Sequence, residues 1–223
     1  MEIKILKNIF AANEAVADEI RDILRQKKIF MIDMMGSPGG GKTAVTDRII
    51  SSLKSKYRIA VIEADVSTAK DAEKLAVHNI PIIQIETNLF GRECHVESSW
   101  VKKCLEDFDL ENLDFVIVEN IGNLVCPAEF ELGDDLRVVV LSITEGEDKP
   151  VKYPLMFNSS QAVVLNKIDL LPYLKYDLGE VKRNIGSVNP AMKVFEASAV
   201  TGQGFDAFIS YLEENIERKI NTI

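Results

Sequence analysis

One octapeptide limits the architecture of this chain more than any other feature. Gly36-Ser37-Pro38-Gly39-Gly40-Gly41-Lys42-Thr43 follows a short apolar run at 29–35 and matches G-x-x-x-x-G-K-[ST] without a gap. The next residues, 44–50, read as a helix. Backbone N–H groups converging at a helix N-terminus bind an anion, and glycine lets the backbone approach it with no Cβ in the way. Gly36, Gly39, Gly40, Gly41 and Ala44 are therefore candidate phosphate-cradle residues. Lys42 would reach the β and γ phosphates, and the Thr43 hydroxyl would ligate Mg²⁺.

Further short apolar runs occur at 59–62, 81–85, 114–118, 137–143, 162–165 and 192–197, most of them separated by helix-length segments. With little sign of two-residue hairpin turns, that alternation predicts an α/β fold, a mainly parallel sheet with helices on both faces. Ile5, Ile9, Ala12, Val16, Ile20, Ile23 and Leu24 recur at spacings of three and four, which predicts a leading amphipathic helix over about 5–26. No repeat, low-complexity stretch or linker divides the sequence, so residues 1–223 are read as a single domain. At 47% hydrophobic and 27% charged residues the chain is neither disordered nor collagen-like. A net charge of -9 without a basic cluster argues against nucleic-acid and anionic-membrane partners. No targeting segment is visible, and no apolar run approaches the ~18 residues that span a bilayer. The expectation is a soluble, cytoplasmic protein.

A second motif, Asn166-Lys167-Ile168-Asp169, follows the apolar run at 162–165. A carboxylate at Asp169 can accept from N1–H and the N2 amine of guanine, whereas adenine offers an acceptor at N1 and nothing at C2. Asp169 thus selects GTP over ATP. Lys167 can lay its stem over the ring, and Asn166 can brace the loop. Downstream, Ser198 and Ala199 resemble a loop whose backbone N–H groups touch the guanine carbonyl, with Val200 where that loop usually carries lysine.

The run 114–118 ends in Glu119-Asn120-Ile121-Gly122, a D-x-x-G-like element with Glu in place of Asp. Glu119 is a candidate to hold Mg²⁺ through a water, and Gly122 to offer its N–H to the γ-phosphate. Asp65, closing the run at 59–62, belongs at the carboxyl edge of the sheet and is preferred to Asp71 as a second Mg²⁺ neighbour or water-orienting group. Lys42, Asp65 and Glu119 are thus the catalytic candidates. Asn123 stands where Ras-like enzymes place a water-orienting glutamine, so slow intrinsic hydrolysis is expected.

Three cysteines argue against a disulfide framework and leave thiols free for metal or redox chemistry. Cys94 and His95 fall at the start of a predicted helix over about 91–107, and Cys126 follows the 119–122 segment. Thiolate, imidazole and thiolate suit Ni²⁺ or Zn²⁺. On such a helix, at ~100° per residue, Cys104 faces away from Cys94 and His95 and reads as a buried, inert thiol. The spacing matches no standard finger, and the residues alone leave metal binding open. His78, near a helix end, reads as a surface residue.

Together these elements resemble the nickel-incorporation GTPases of hydrogenase maturation, the HypB family, in its shorter archaeal form. The likeness is carried by Gly36 to Thr43, Glu63-Ala64-Asp65-Val66, Glu93-Cys94-His95, Glu119-Asn120-Ile121-Gly122-Asn123-Leu124-Val125-Cys126-Pro127, Thr144-Glu145-Gly146 and Asn166 to Asp169. It implies a P-loop NTPase of the SIMIBI-like GTPase class, a homodimer that pairs face to face in the GTP-bound state, and hydrogenase maturation proteins as partners. It also implies that Cys94, His95 and Cys126 bind Ni²⁺ or Zn²⁺ at the interface, with GTP controlling metal release. The sequence has neither the N-terminal cysteine cluster nor the histidine-rich stretch of many bacterial members, so a second nickel site and nickel storage are not expected. The related urease-accessory GTPase is expected to carry Cys-Pro-His where this chain reads Cys126-Pro127-Ala128. A GTPase module with incidental metal binding stays open as an alternative; a change in Ni²⁺ affinity on GTP binding would exclude it.

Overall fold

Strands buried on both faces must be covered by helices on both sides, and the seven apolar runs meet that requirement in one sheet. The computed structural model describes residues 2–65, 70–90 and 94–221. Its strands are β1 (Phe30–Gly36), β2 (Ile59–Asp65), β3 (Ile82–Glu86), β4 (Phe115–Glu119), β5 (Leu136–Ser142), β6 (Ala162–Asn166) and β7 (Lys193–Glu196). They lie in the order β3-β2-β4-β1-β5-β6-β7, and every neighbouring pair is parallel. All carboxyl ends therefore open on one edge, with β1 in the middle between β4 and β5.

Alternation along β1 divides the core. Phe30, Ile32 and Met34 pack with Val45 and Ile49 of α2 (Lys42–Leu53) and with Phe208 and Leu212 of α8 (Phe205–Asn221). Met31 faces the opposite layer, where Ile20 and Leu24 of α1 (Glu2–Lys27) meet Val101 and Cys104 of α4 (Ser98–Asp107). The remaining helices are α3 (Lys70–Leu75), α5 (Lys149–Lys152), α6 (Pro154–Asn158) and α7 (Leu178–Val188); α6 and α7 cover β5 and β6 through Phe157 and Ile185. The expected leading helix is α1. Its Ile20 and Leu24 are fully buried, each worth about 1.5–3 kcal/mol relative to exposure.

Three expectations are corrected. Residues 94–97 are not helical: α4 begins at Ser98, whose N–H donates to Asn13 Oδ1 at 2.9 Å and whose hydroxyl donates to the Asn13 carbonyl at 2.8 Å. Docking on α1 thus sets the start of α4 and leaves Cys94 and His95 in a loop. Cys104 is nonetheless buried and free, its thiol pushed up to about 11 by burial. His78 is not a surface side chain; it is 8% exposed and bridges α3's trailing turn to α2, with Nε2 2.7 Å from Asp47 and Nδ1 3.2 Å from Lys54 Nζ. Cys94 and Cys126 are not separate thiols but are paired as a disulfide across 32 residues, Cα atoms 6.1 Å apart. Val66 and Glu93 lie outside the described residues.

Candidate functional site: a phosphate cradle joined to a cysteine pair

The glycine-rich segment leaves β1 and turns into α2 at Gly41, which has φ +97°, a left-handed value that other residues rarely adopt. A Cβ there would also strike Asn166 Nδ2, so the glycine is required by both backbone and neighbour. Lys42 is buried, and among the described residues its ammonium makes only long contacts, 3.4 Å to the Gly36 carbonyl and 3.5 Å to that of Ser37. Burial lowers its pKa, opposed first by Glu119 and then by Asp71 and Glu63. Glu145 pins the segment from the turn that follows β5: its Oε2 accepts from the Ser37 hydroxyl at 2.5 Å and its Oε1 from the Ser142 N–H at 3.1 Å.

Beside the cradle lies a cavity of about 450 Å³ walled by Lys42, Thr43, Glu63, Asp65, Asp71, Glu119 and Gly122. Glu119 accepts from the Thr43 hydroxyl at 2.7 Å and from the Thr46 hydroxyl at 2.9 Å. Burial raises its carboxyl, while the Thr43 hydrogen bond and Lys42 oppose the rise. Asp65 stands at the sheet edge as expected, and Asp71 shares the same wall. Gly122 closes the far side; a Cβ on it would meet Pro38 at 3.0 Å. Behind this segment Asn120 donates to buried Asp33 at 3.0 Å, tying residues 119–122 to β1.

Glu63 was not among the sequence candidates. It is 2% exposed, its Oε2 has no partner among the described residues, and burial raises its carboxyl to about 8, with Glu119, Asp65 and Asp71 adding to the rise. The available signal was an acid inside an otherwise apolar strand, since a buried carboxylate without a cation is costly. Thr43, Glu63, Asp65 and Glu119 line the same cavity and offer it only oxygen donors, the type Mg²⁺ takes, beside an orphaned buried carboxylate oxygen, although the three carboxylates do not by themselves close into a metal-sized group.

The base end is organised by Asn166. Its amide donates to the Gly40 carbonyl at 3.1 Å, and its Oδ1 accepts from the N–H groups of Lys167 at 2.8 Å and Ala199 at 3.1 Å. Lys167, at φ +67°, reaches back to the Gly39 carbonyl at 2.6 Å. Asp169 Oδ1 is buried with no partner among the described residues, so its capacity to accept a hydrogen bond is unused. Ser198 departs from expectation: its N–H donates to the Gln203 carbonyl at 2.9 Å and its hydroxyl accepts from the Thr201 N–H at 3.1 Å, so it shapes the loop. Arg48, another residue missed in the sequence, holds that loop by donating to the carbonyls of Ala199 at 2.9 Å and Val200 at 3.0 Å.

Of the three soft donors, Cys94 and Cys126 meet and His95 does not join them. Its ring is buried and stacks on Phe130, centroids 3.7 Å apart. Among the described residues no three His, Cys, Asp or Glu side chains form a metal-sized group. Asn123 touches both cysteine segments, its Nδ2 3.3 Å from Cys126 Sγ and 3.4 Å from the Cys94 carbonyl.

The chain is similar to known proteins over nearly its whole length. Residues 30–196 match the family described as CobW/HypB/UreG, nucleotide-binding domain. The hydrogenase maturation factor HypB of Rhizobium leguminosarum is 42% identical over 97% of this chain and 72% of its own length. The probable hydrogenase maturation factor HypB of Methanocaldococcus jannaschii is 36% identical over 96% of both proteins. The crystal structure of HypB from Helicobacter pylori in complex with nickel superposes with a TM-score of 0.87 at 30% identity, covering 95% of this chain and 98% of that one. With a P-loop GTPase fold and relatives of this closeness over nearly its whole length, the chain belongs to the HypB hydrogenase maturation factors of the CobW/HypB/UreG family.

Proposed function

We propose that this protein is a GTP-hydrolysing metallochaperone that helps insert nickel into hydrogenase. The carrying observation is that one short segment has the nucleotide site at one end and the cysteine pair at the other: Glu119 is bonded to Thr43, and Cys126 is paired with Cys94. Asp169 selects guanine, and Lys42 neutralises charge on the β and γ phosphates. Asp65 orients water toward the γ-phosphorus, where a new P–O bond forms as the bridging P–O bond to GDP breaks, and the proton of the water passes to the released phosphate. Thr43, Glu63, Asp65 and Glu119 would hold Mg²⁺, which would neutralise phosphate charge. Asn123 is committed to the cysteine loop, which supports slow intrinsic turnover. Cys94 and Cys126, reduced and deprotonated, bind Ni²⁺ or Zn²⁺, with His95 joining after leaving Phe130. Two protomers pair on GTP across this face, and the reading places the protein in the cytoplasm beside hydrogenase maturation partners. Among the described residues no helix is long and apolar enough to cross a membrane.

Sedimentation under reducing conditions tests the reading. Wild type should move from monomer toward dimer with a GTP analogue and further with Ni²⁺, while Cys126→Ala keeps the nucleotide response and loses the metal response. Equal metal responses would reduce Cys126 to an ordinary loop cysteine and remove the metallochaperone assignment.

A further inference from the structure

Asn123 is fixed from both sides. Its backbone pairs with Gly36 in an isolated antiparallel bridge, so it is docked on the first residue of the phosphate cradle. Gly36 in turn pairs in register with Val140 of β5. The residue before Asn123 is Gly122, in contact range of Pro38 within the cradle. On the other side, Asn123 Oδ1 accepts from the Val125 N–H at 2.8 Å, closing the turn that carries Cys126. The same side-chain amide then contacts Cys126 Sγ and the Cys94 carbonyl. One residue therefore joins the cradle, through its backbone, to both cysteine segments, through its side chain.

We propose, resting on the nickel-GTPase reading above, that Asn123 is the positioning residue through which nucleotide state sets the metal affinity of the Cys94/Cys126 pair. The chemistry follows from its two amide ends. Once the disulfide is reduced, an N–H donor held at Cys126 Sγ leaves the other sulfur lone pairs for a soft cation and fixes the direction in which they point. Its contact to the Cys94 carbonyl sets the approach of the second sulfur. A shift of Gly122 toward a γ-phosphate moves the Asn123 backbone, and the amide carries that shift to both ligands. Partners of this kind typically control metal affinity about 10–100-fold.

The experiment uses the full chain under reducing conditions. Ni²⁺ titrations are followed by the thiolate-to-nickel charge-transfer absorption with GDP and with a non-hydrolysable GTP analogue, alongside GTP turnover and melting temperature. Asn123→Ala should weaken Ni²⁺ by roughly 10–100-fold and bring the affinities in the two nucleotide states within about 2-fold, with a smaller effect on turnover. Asn123→Asp, nearly isosteric, should weaken Ni²⁺ further, because a carboxylate repels the Cys126 thiolate and the Cys94 carbonyl where the amide donated to them. A wild-type-like affinity ratio in Asn123→Ala overturns the proposal, as does a parallel loss of turnover and melting temperature in both variants, which would mark Asn123 as merely structural. If wild type itself binds Ni²⁺ equally in both nucleotide states, it is the nickel-GTPase reading that fails.

Discussion

Glu63 and Glu119 stand side by side at the carboxyl ends of β2 and β4, paired in register, and only one of them is satisfied by the protein. Glu119 has two threonine hydroxyls, whereas Glu63 Oε2 has no partner among the described residues. Two buried carboxylates so close favour a divalent cation or a proton, and burial raises the Glu63 carboxyl from the ordinary 4.5 to about 8.

That shift has a definite sign. The folded chain holds the Glu63 proton more tightly than the unfolded chain, so this group makes unfolding easier as pH rises from about 4.5 to about 8. Glu63→Gln should remove the burden. In EDTA, its melting temperature should match wild type near pH 4.5 and exceed it by roughly 2–4 °C at pH 8. Equal values at both pH extremes would show that Glu63 is not held protonated.

Glu119→Gln keeps a carbonyl for one threonine but loses the charge beside Thr43. GTP turnover should fall by about 10²-fold or more with melting temperature at or above that of wild type, since an unfavourably buried acid has been removed. Undiminished turnover would relocate the cation site.

The orphaned Asp169 oxygen predicts base selectivity. Asp169→Ala should weaken GTP by about 2–4 kcal/mol, the scale of losing a charged acceptor for buried donors, and leave the poor affinity for ATP nearly unchanged. Competition of both nucleotides against a fluorescent GDP analogue would measure it. An equal loss for ATP would rule out this residue as the reader.

Arg48→Ala should release the loop over residues 198–200. Dissociation of a fluorescent GDP analogue, followed by stopped flow, should quicken by roughly 3–10-fold, because two carbonyls lose charged donors at the rim of the base site. Ni²⁺ affinity is the internal control and should not move, since among the described residues the Arg48 guanidinium donates to the base loop and not to the cysteine segments. Unchanged dissociation would mean that Asn166 alone supports the loop.

The cradle, the base motif and all seven strands were legible in the sequence because each is a local pattern. Glycines before Lys42, an apolar run before Asn166 and a period of three to four in α1 report backbone preferences over a few residues. Local pattern did not reveal where α4 starts, because contact with Asn13, 85 positions away in the chain, decides it. Nor did it reveal Glu63, whose chemistry comes from β4 lying next to β2 although β3 intervenes in sequence. Cys94 and Cys126 could be named as donors from their type, but their meeting, the turning of His95 onto Phe130 and the central place of Asn123 follow from how two loops fall at one sheet edge. Residue type and spacing determine which chemistry a segment can offer. Strand order and packing determine which groups share a site, since burial and long-range pairing are properties of the folded sheet.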